Sequence, residues 1–223
     1  MISENLLIIF LKDPQPGNVK TRLADTIGKK QAALLYQAMV EDLLQNLQPP
    51  ENFEILLMFW PPEMKPNISK WLGSGIPLEA QTAGDLGNKM KRAFEEAFLK
   101  NYCRVILIGS DLPYLTTEFI QESFYRLEQS DLILGPTDDG GYYLIGLMEP
   151  QPSLFEDIPW STPRVLHETL SNASKSGLTY YLLPRMQDID TVDDLAILLN
   201  LCKDKNFRRA VPRTCQILKS LPK

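Results

Sequence analysis

Histidine is almost absent: His167 is the single one in 223 residues. A Ser-His-Asp or Cys-His enzyme would depend wholly on it, and its place inside a helical stretch reads as a surface or packing position. Cysteine is scarce as well. Cys103, Cys202 and Cys215 are odd in number and have no metal-ligand spacing, so they read as reduced cytosolic thiols. Long apolar runs are missing. None approaches ~18 residues, so no segment is expected to span a bilayer. The N-terminal LLIIFL lacks a basic flank and is too short for a signal peptide. Positive charge is in deficit, with 23 Lys and Arg against 28 Asp and Glu and a net charge of -5, which argues against a general nucleic-acid binder. These absences leave a cytoplasmic protein with neither nucleic acid nor membrane as partner; they leave the oligomeric state open.

What is present is an ordinary soluble composition, 44% hydrophobic and 23% charged, able to bury a sizeable core. Strand and helix signals alternate along it. LLIIFL (Leu6 to Leu11), FEILLMFW (Phe53 to Trp60) and RVILIG are apolar without interruption, as strands covered on both faces should be. DLILG, GYYLIGL and LTYYLLP read as further strands, and LEAQ as a short one. Helices are expected from about Lys29 to Leu47, Glu63 to Leu72, after Asp85, from Thr116 to about Gln129, about Thr162 to Ser176, Thr191 to Leu201 and about Val211 to Leu218. With no repeat, low-complexity segment or linker, residues 1–223 are expected to form a single domain: a three-layer α/β/α sandwich with a mostly parallel sheet. DLILG and GYYLIGL are joined by a turn too short for a parallel crossover, which predicts a local antiparallel excursion.

Ligands of open α/β sheets sit outside the carboxyl ends of the strands, and the chemically loaded stretches of this chain fall there. KDPQPGNVKTRL follows the first strand. Its prolines and glycine make a stiff turn, and Lys20 and Arg22 suit a diphosphate; the bland alternative is a solvated surface turn. Both cations are expected to be exposed. GSDLP follows the RVILIG strand and ends it on Asp111, where a carboxylate at the rim can bind a divalent cation or merely cap the turn. Asp190 holds the equivalent place after LTYYLLP, either as a metal ligand or as the cap of the next helix, whose first turn Asp193 and Asp194 favour. Two carboxylates brought to ~4 Å repel by about 4 kcal/mol at an effective dielectric of about 20. A shared Mg²⁺ (or Mn²⁺) would remove that repulsion and clamp a diphosphate. In TDDGGYY, Gly140 and Gly141 let an acceptor approach the backbone and Asp139 offers a base, unless the stretch is only a tight turn.

Taken together, IIFLKDPQPGNVKTRLA, QTAGDLGNKM, ILIGSDLPYL, LGPTDDGGYYLIGL, IPWSTPRVLHETL and DIDTVDDL resemble the glycosyltransferase-A-like family of radical-SAM/selenodomain-associated transferase 1, in order, from about residue 6 to about residue 200. More distantly the set is similar to 2-phospho-lactate guanylyltransferase. The resemblance implies a nucleotide-diphospho-sugar transferase fold, with Gly17, Lys20 and Arg22 at the nucleotide's phosphates and Gln81, Gly84, Asp85 and Gly87 near base and ribose. It also implies Asp111 and Asp190 as the metal aspartates. Asn88-Lys89 departs from the family's acidic-basic pair, and Asp13 stands where a small residue is frequent. The expected activity is metal-dependent transfer of a glycosyl or nucleotidyl group from a nucleotide sugar or nucleoside triphosphate to a small acceptor. A nucleotide-binding module without turnover and a nucleotide-sugar hydrolase are the rivals.

Overall fold

The computed structural model describes residues 4–48, 50 and 52–221. The first two apolar runs form β1 (Asn5–Lys12) and β2 (Glu54–Trp60). They are followed by β3 (Leu78–Ala80), β4 (Arg104–Ile108), β5 (Leu132–Pro136), β6 (Tyr142–Leu147) and β7 (Tyr180–Leu182). One seven-stranded sheet results, in the order β3-β2-β1-β4-β6-β5-β7. β1 pairs parallel with β2 and β4, and β7 parallel with β5, while β6 runs antiparallel to both of its neighbours. The short turn between β5 and β6 forces that reversal, as its length predicts. Strand order turns outward on both sides of β1, so the crevice beyond the carboxyl ends of β1 and β4 is the switch point where ligands bind in such sheets.

The helices are α1 (Thr21–Ile27), α2 (Lys29–Asn46), α3 (Lys65–Leu72), α4 (Leu86–Leu99), α5 (Thr117–Leu127), α6 (Val165–Lys175), α7 (Val192–Leu201), α8 (Lys205–Ala210) and α9 (Pro212–Ser220). Asp85 caps α4 through the Asn88 N–H, and Thr116 caps α5. α1 and α8 were not expected. Each is too short to carry an apolar stripe, and helices of that length persist only where the tertiary fold packs them.

The sheet's two faces carry separate cores. Leu7, Ile9 and Leu11 of β1 alternate with Leu6, Ile8 and Phe10, so the first set packs with α2 and α5 and the second with α4. Helix α2 is buried on a second side too. There Leu35 and Met39 join Leu195 and Leu198 of α7 and Cys215 and Leu218 of α9 in a third cluster. Asp42 of α2 is fully buried and holds the start of α9, accepting from the N–H groups of Thr214 (2.7 Å) and Arg213 (3.3 Å) and from the Arg213 guanidinium (3.2 Å).

This third cluster corrects the reading of the cysteines. Cys202 and Cys215 form a disulfide with their Cα atoms 5.7 Å apart, and only Cys103 is a free thiol. Their spacing gave no sign of it; α9 folds back against α7 and brings them together. No helix formed by the described residues is long and apolar enough to cross a membrane.

Candidate active site

A cleft of 760 Å³ opens at the carboxyl ends of β1 and β4. Its geometry starts with Tyr36 of α2. The buried Tyr36 hydroxyl accepts from the Lys12 N–H (2.9 Å) at the end of β1 and lies 2.8 Å from Ser110 Oγ beyond β4. One phenol therefore sets the spacing between the two loops that hold the chemistry. Burial, and then the nearby Asp111 carboxylate, push its pKa further up.

Lys20 is the centre of the site, and the expectation that it is exposed is wrong. Its side chain is 4% exposed. The residue takes a left-handed conformation (φ 47°, ψ 47°) just before α1. That conformation aims the ammonium inward, where it donates to the Ile189 carbonyl and lies 2.5 Å from Asp111 Oδ1 and 4.0 Å from Asp190 Oδ1. Arg22 remains exposed and binds Asp190 Oδ2 at 3.0 Å. Asp111 and Asp190 thus meet around one cation, 168 positions from Arg22 in the case of Asp190. Asp190 is placed by α7: the N–H groups of Asp190 and Thr191 both donate to Asp194 Oδ2, at 3.0 and 2.6 Å, and Thr191 completes a capping box.

Two further carboxylates face the same space. Asp139 lines the cleft, with Oδ1 accepting from Thr137 Oγ1 (2.5 Å) and the Gly141 N–H (3.0 Å), so it also builds its own turn. Asp188 was missed, although it stands in the same DID stretch as Asp190. Its pKa is raised to about 6, chiefly by burial and then by Asp139 and Asp111, with Lys20 opposing. The available signal was the D-x-D pattern itself, a second carboxylate two positions from Asp190.

Of the other expected residues, Gln81 and Gly141 line the cleft. The Gln81 amide donates to the Met58 carbonyl at 2.8 Å. Gly17, Gly84, Asp85, Gly87 and Gly140 are not among the residues that line it. Gly87 acts through packing: a Cβ there would lie 2.5 Å from the indole nitrogen of Trp160, which lines the cleft. At Gly140 (φ 87°) a Cβ would meet the Pro163 carbonyl oxygen at 2.2 Å. On the far side of the cleft, Lys89 of α4 holds its ammonium 4.0 Å from the centre of the Trp60 ring. Burial, and then repulsion from Lys12, lower its pKa below 10.5. Neither Lys12 nor Lys89 makes an ion pair among the described residues.

Residues 43–162 match the family described as "Uncharacterized protein conserved in bacteria (DUF2064)". The chain belongs to the DUF2064 family. A crystal structure from Desulfovibrio desulfuricans G20, of a provisionally named nucleotide-diphospho-sugar transferase, shares this fold with a TM-score of 0.92 and 36% identity over 98% of this chain and 95% of that one. Among curated relatives of this DUF2064 protein, the 2-phospho-L-lactate guanylyltransferases of Methanocaldococcus jannaschii and Methanocaldococcus vulcanius are 27% and 23% identical. They cover 80% and 85% of this chain and 76% and 82% of their own lengths. The 4-diphosphocytidyl-2C-methyl-D-erythritol synthase of Anaerococcus prevotii DSM 20548 shares the fold alone, at a TM-score of 0.59 and 10% identity over 91% of this chain and 97% of that one. The resemblance drawn from the sequence motifs and the nucleotide-diphospho-sugar transferase fold both stand.

Proposed function

We propose that this protein is a nucleotidyltransferase that moves a nucleoside monophosphate unit from a nucleoside triphosphate to an anionic oxygen of a small acceptor, with Mg²⁺ (or Mn²⁺) bound at Asp111 and Asp190. One observation carries the reading: the loop after β1, the end of β4 and the Asp188–Asp190 segment converge on the buried ammonium of Lys20. The names of the archaeal relatives support nucleotidyl over glycosyl transfer, and suggest GTP and a 2-phospho hydroxy acid as the first donor and acceptor to try.

The donor set supports the metal. At one end of the cleft, four carboxylates (Asp111, Asp139, Asp188 and Asp190) stand with two of its four cations (Lys20 and Arg22), a local excess of negative charge that a divalent ion would offset. Among the described residues no group of three or more His, Cys, Asp or Glu is placed to hold a metal ion. Mg²⁺ commonly takes one or two protein carboxylates and completes its shell with substrate phosphates and water, so two carboxylates are a fitting set. When bound, the ion would offset charge on the phosphoryl group and the departing diphosphate.

The chain's own residues supply the rest. The acceptor oxygen attacks the α-phosphorus, the bond from that phosphorus to the bridging oxygen breaks, and diphosphate leaves with the electron pair. Lys20 holds Asp111 and Asp190 in place through two ion pairs, and the exposed Arg22 can turn toward an α-phosphate oxygen. Asp139, fixed by Thr137 and the Gly141 N–H, orients the acceptor in the half of the cleft beside β6. The test is product analysis with Mg²⁺, donor and a panel of phosphorylated acids. Pyrophosphate released only when acceptor is present supports the proposal. Nucleoside diphosphate released from a nucleotide sugar overturns it in favour of glycosyl transfer. Breakdown by water alone indicates a hydrolase, and binding without any product indicates a binding module.

A further inference from the structure

Lys12 and Lys89 form a second cationic site in the cleft, and we propose that it holds the diphosphate leaving group of the donor nucleotide. The inference rests on the nucleotidyl-transfer reading above. Lys12 ends β1, Trp60 ends β2, and the two are register partners in a parallel pair. Their side chains therefore point to the same side of the sheet, the side of Phe10 and Met58, which α4 covers. From the first turns of α4, Lys89 reaches back over the Trp60 ring, 4.0 Å from its centre. Three elements thus bring two ammonium groups to one wall of the cleft.

The two cation pairs of the cleft differ in what they already bind. Lys20 and Arg22 are occupied by Asp111 and Asp190. A phosphate replacing those carboxylates would have to break existing ion pairs. Lys12 and Lys89 have no such partner among the described residues, and Asp85, one turn before Lys89, is committed to the Asn88 N–H at 2.8 Å. What holds Lys89 in place is the indole face, an attraction that leaves its N–H donors free. Repulsion from Lys12 and partial burial make the empty arrangement unfavourable, and a doubly charged oxyanion relieves both. A triphosphate spanning the cleft then sets its α-phosphate toward the carboxylate end, and its β- and γ-phosphates toward these lysines. When the bond between the α-phosphorus and the bridging oxygen breaks, the electron pair passes to a diphosphate whose growing charge the two ammonium groups stabilise.

Isothermal titration with Mg²⁺ tests this on the full chain, with inorganic pyrophosphate, GTP, CTP and GMP as probes against wild type, Lys12→Gln, Lys89→Gln and Lys89→Arg. Each glutamine variant is expected to weaken pyrophosphate and triphosphate binding by about tenfold or more, the worth of one charge-assisted hydrogen bond. GMP should change by less than about twofold, because it leaves the lysine wall empty and more distant charges are screened. Lys89→Arg should restore most of the triphosphate affinity, and unliganded melting temperatures close to wild type exclude misfolding as the cause. Unchanged triphosphate affinity in both glutamine variants overturns the inference and leaves the transferase reading intact. So does an equal loss for GMP, which would put an acceptor or the α-phosphate on this wall. A wild type that binds neither pyrophosphate nor any triphosphate overturns both.

Discussion

Each end of the cleft carries two cations, and the two ends are electrostatically opposite. Lys20 and Arg22 stand among Asp111, Asp139, Asp188 and Asp190, while Lys12 and Lys89 stand beside an indole and make no ion pair among the described residues. Three of these four cations come from one short stretch of sequence, LKDPQPGNVKTR. The stiff turn between Lys12 and Lys20, with Gly17 at φ 94°, sends them to different ends. The lesson is that a cation's role follows from its neighbours. A buried ammonium among carboxylates organises a site; an unpaired one at the wall is available to a ligand.

That contrast can be broken most directly at Asp111. Asp111→Asn should cut metal-dependent transfer by about a hundredfold or more, since it removes one of the two carboxylates proposed to hold the ion that offsets charge on the phosphoryl group; pyrophosphate release measures it, and a rate near wild type would remove the acid end from the chemistry. The next largest effect is on folding. Lys20→Met leaves Asp111 without its cation and Asp190 with Arg22 alone, and should cost about 2 kcal/mol, a figure held down by the partial exposure of both carboxylates. Lys12→Met should stay within about 0.5 kcal/mol, as for other exposed positions. Urea unfolding of the pair decides the matter: equal losses would erase the distinction between an organising and an available lysine.

Asp139→Asn should keep Mg²⁺-dependent triphosphate binding near wild type and slow transfer by about tenfold through a less well held acceptor. Its side-chain oxygen can still accept from Thr137 and the Gly141 N–H, so the turn should survive. Loss of binding equal to that of Asp111→Asn would move this carboxylate into the metal half. The smallest effect concerns Lys89. Its folded-state pKa lies below 10.5, so just under that pH the unfolded chain binds more protons than the folded one. Stability should therefore rise with pH in that window, and Lys89→Gln should flatten the slope. A slope unchanged by the substitution would show that Lys89 is not held in the environment described.

Much of the architecture was legible from periodicity. The uninterrupted apolar runs of β1, β2 and β4 could only be strands covered on both faces, and the short turn after β5 could only reverse the chain. LTYYLLP reads as a strand, and β7 keeps only three of its residues, at the edge of the sheet with their side chains exposed. Asp194 was read correctly as part of a helix start. Asp42, invisible in an amphipathic helix pattern, proves fully buried because α2 has two packed sides. The disulfide between Cys202 and Cys215 was hidden for a related reason: thirteen residues of separation say nothing about whether α9 returns to α7.

By itself, then, the sequence determined which residue types stand at the ends of which strands, since strand length, turn stiffness and helix caps are local properties. It brought Lys20, Asp111, Asp139 and Asp190 to the same edge of the sheet. Only the tertiary structure decided which charges are neutralised, that Asp188 belongs among them, and that Lys12 and Lys89 make no ion pair among the described residues. Charge pairing depends on distance through space, and the carbonyl that receives the Lys20 ammonium lies 169 positions along the chain.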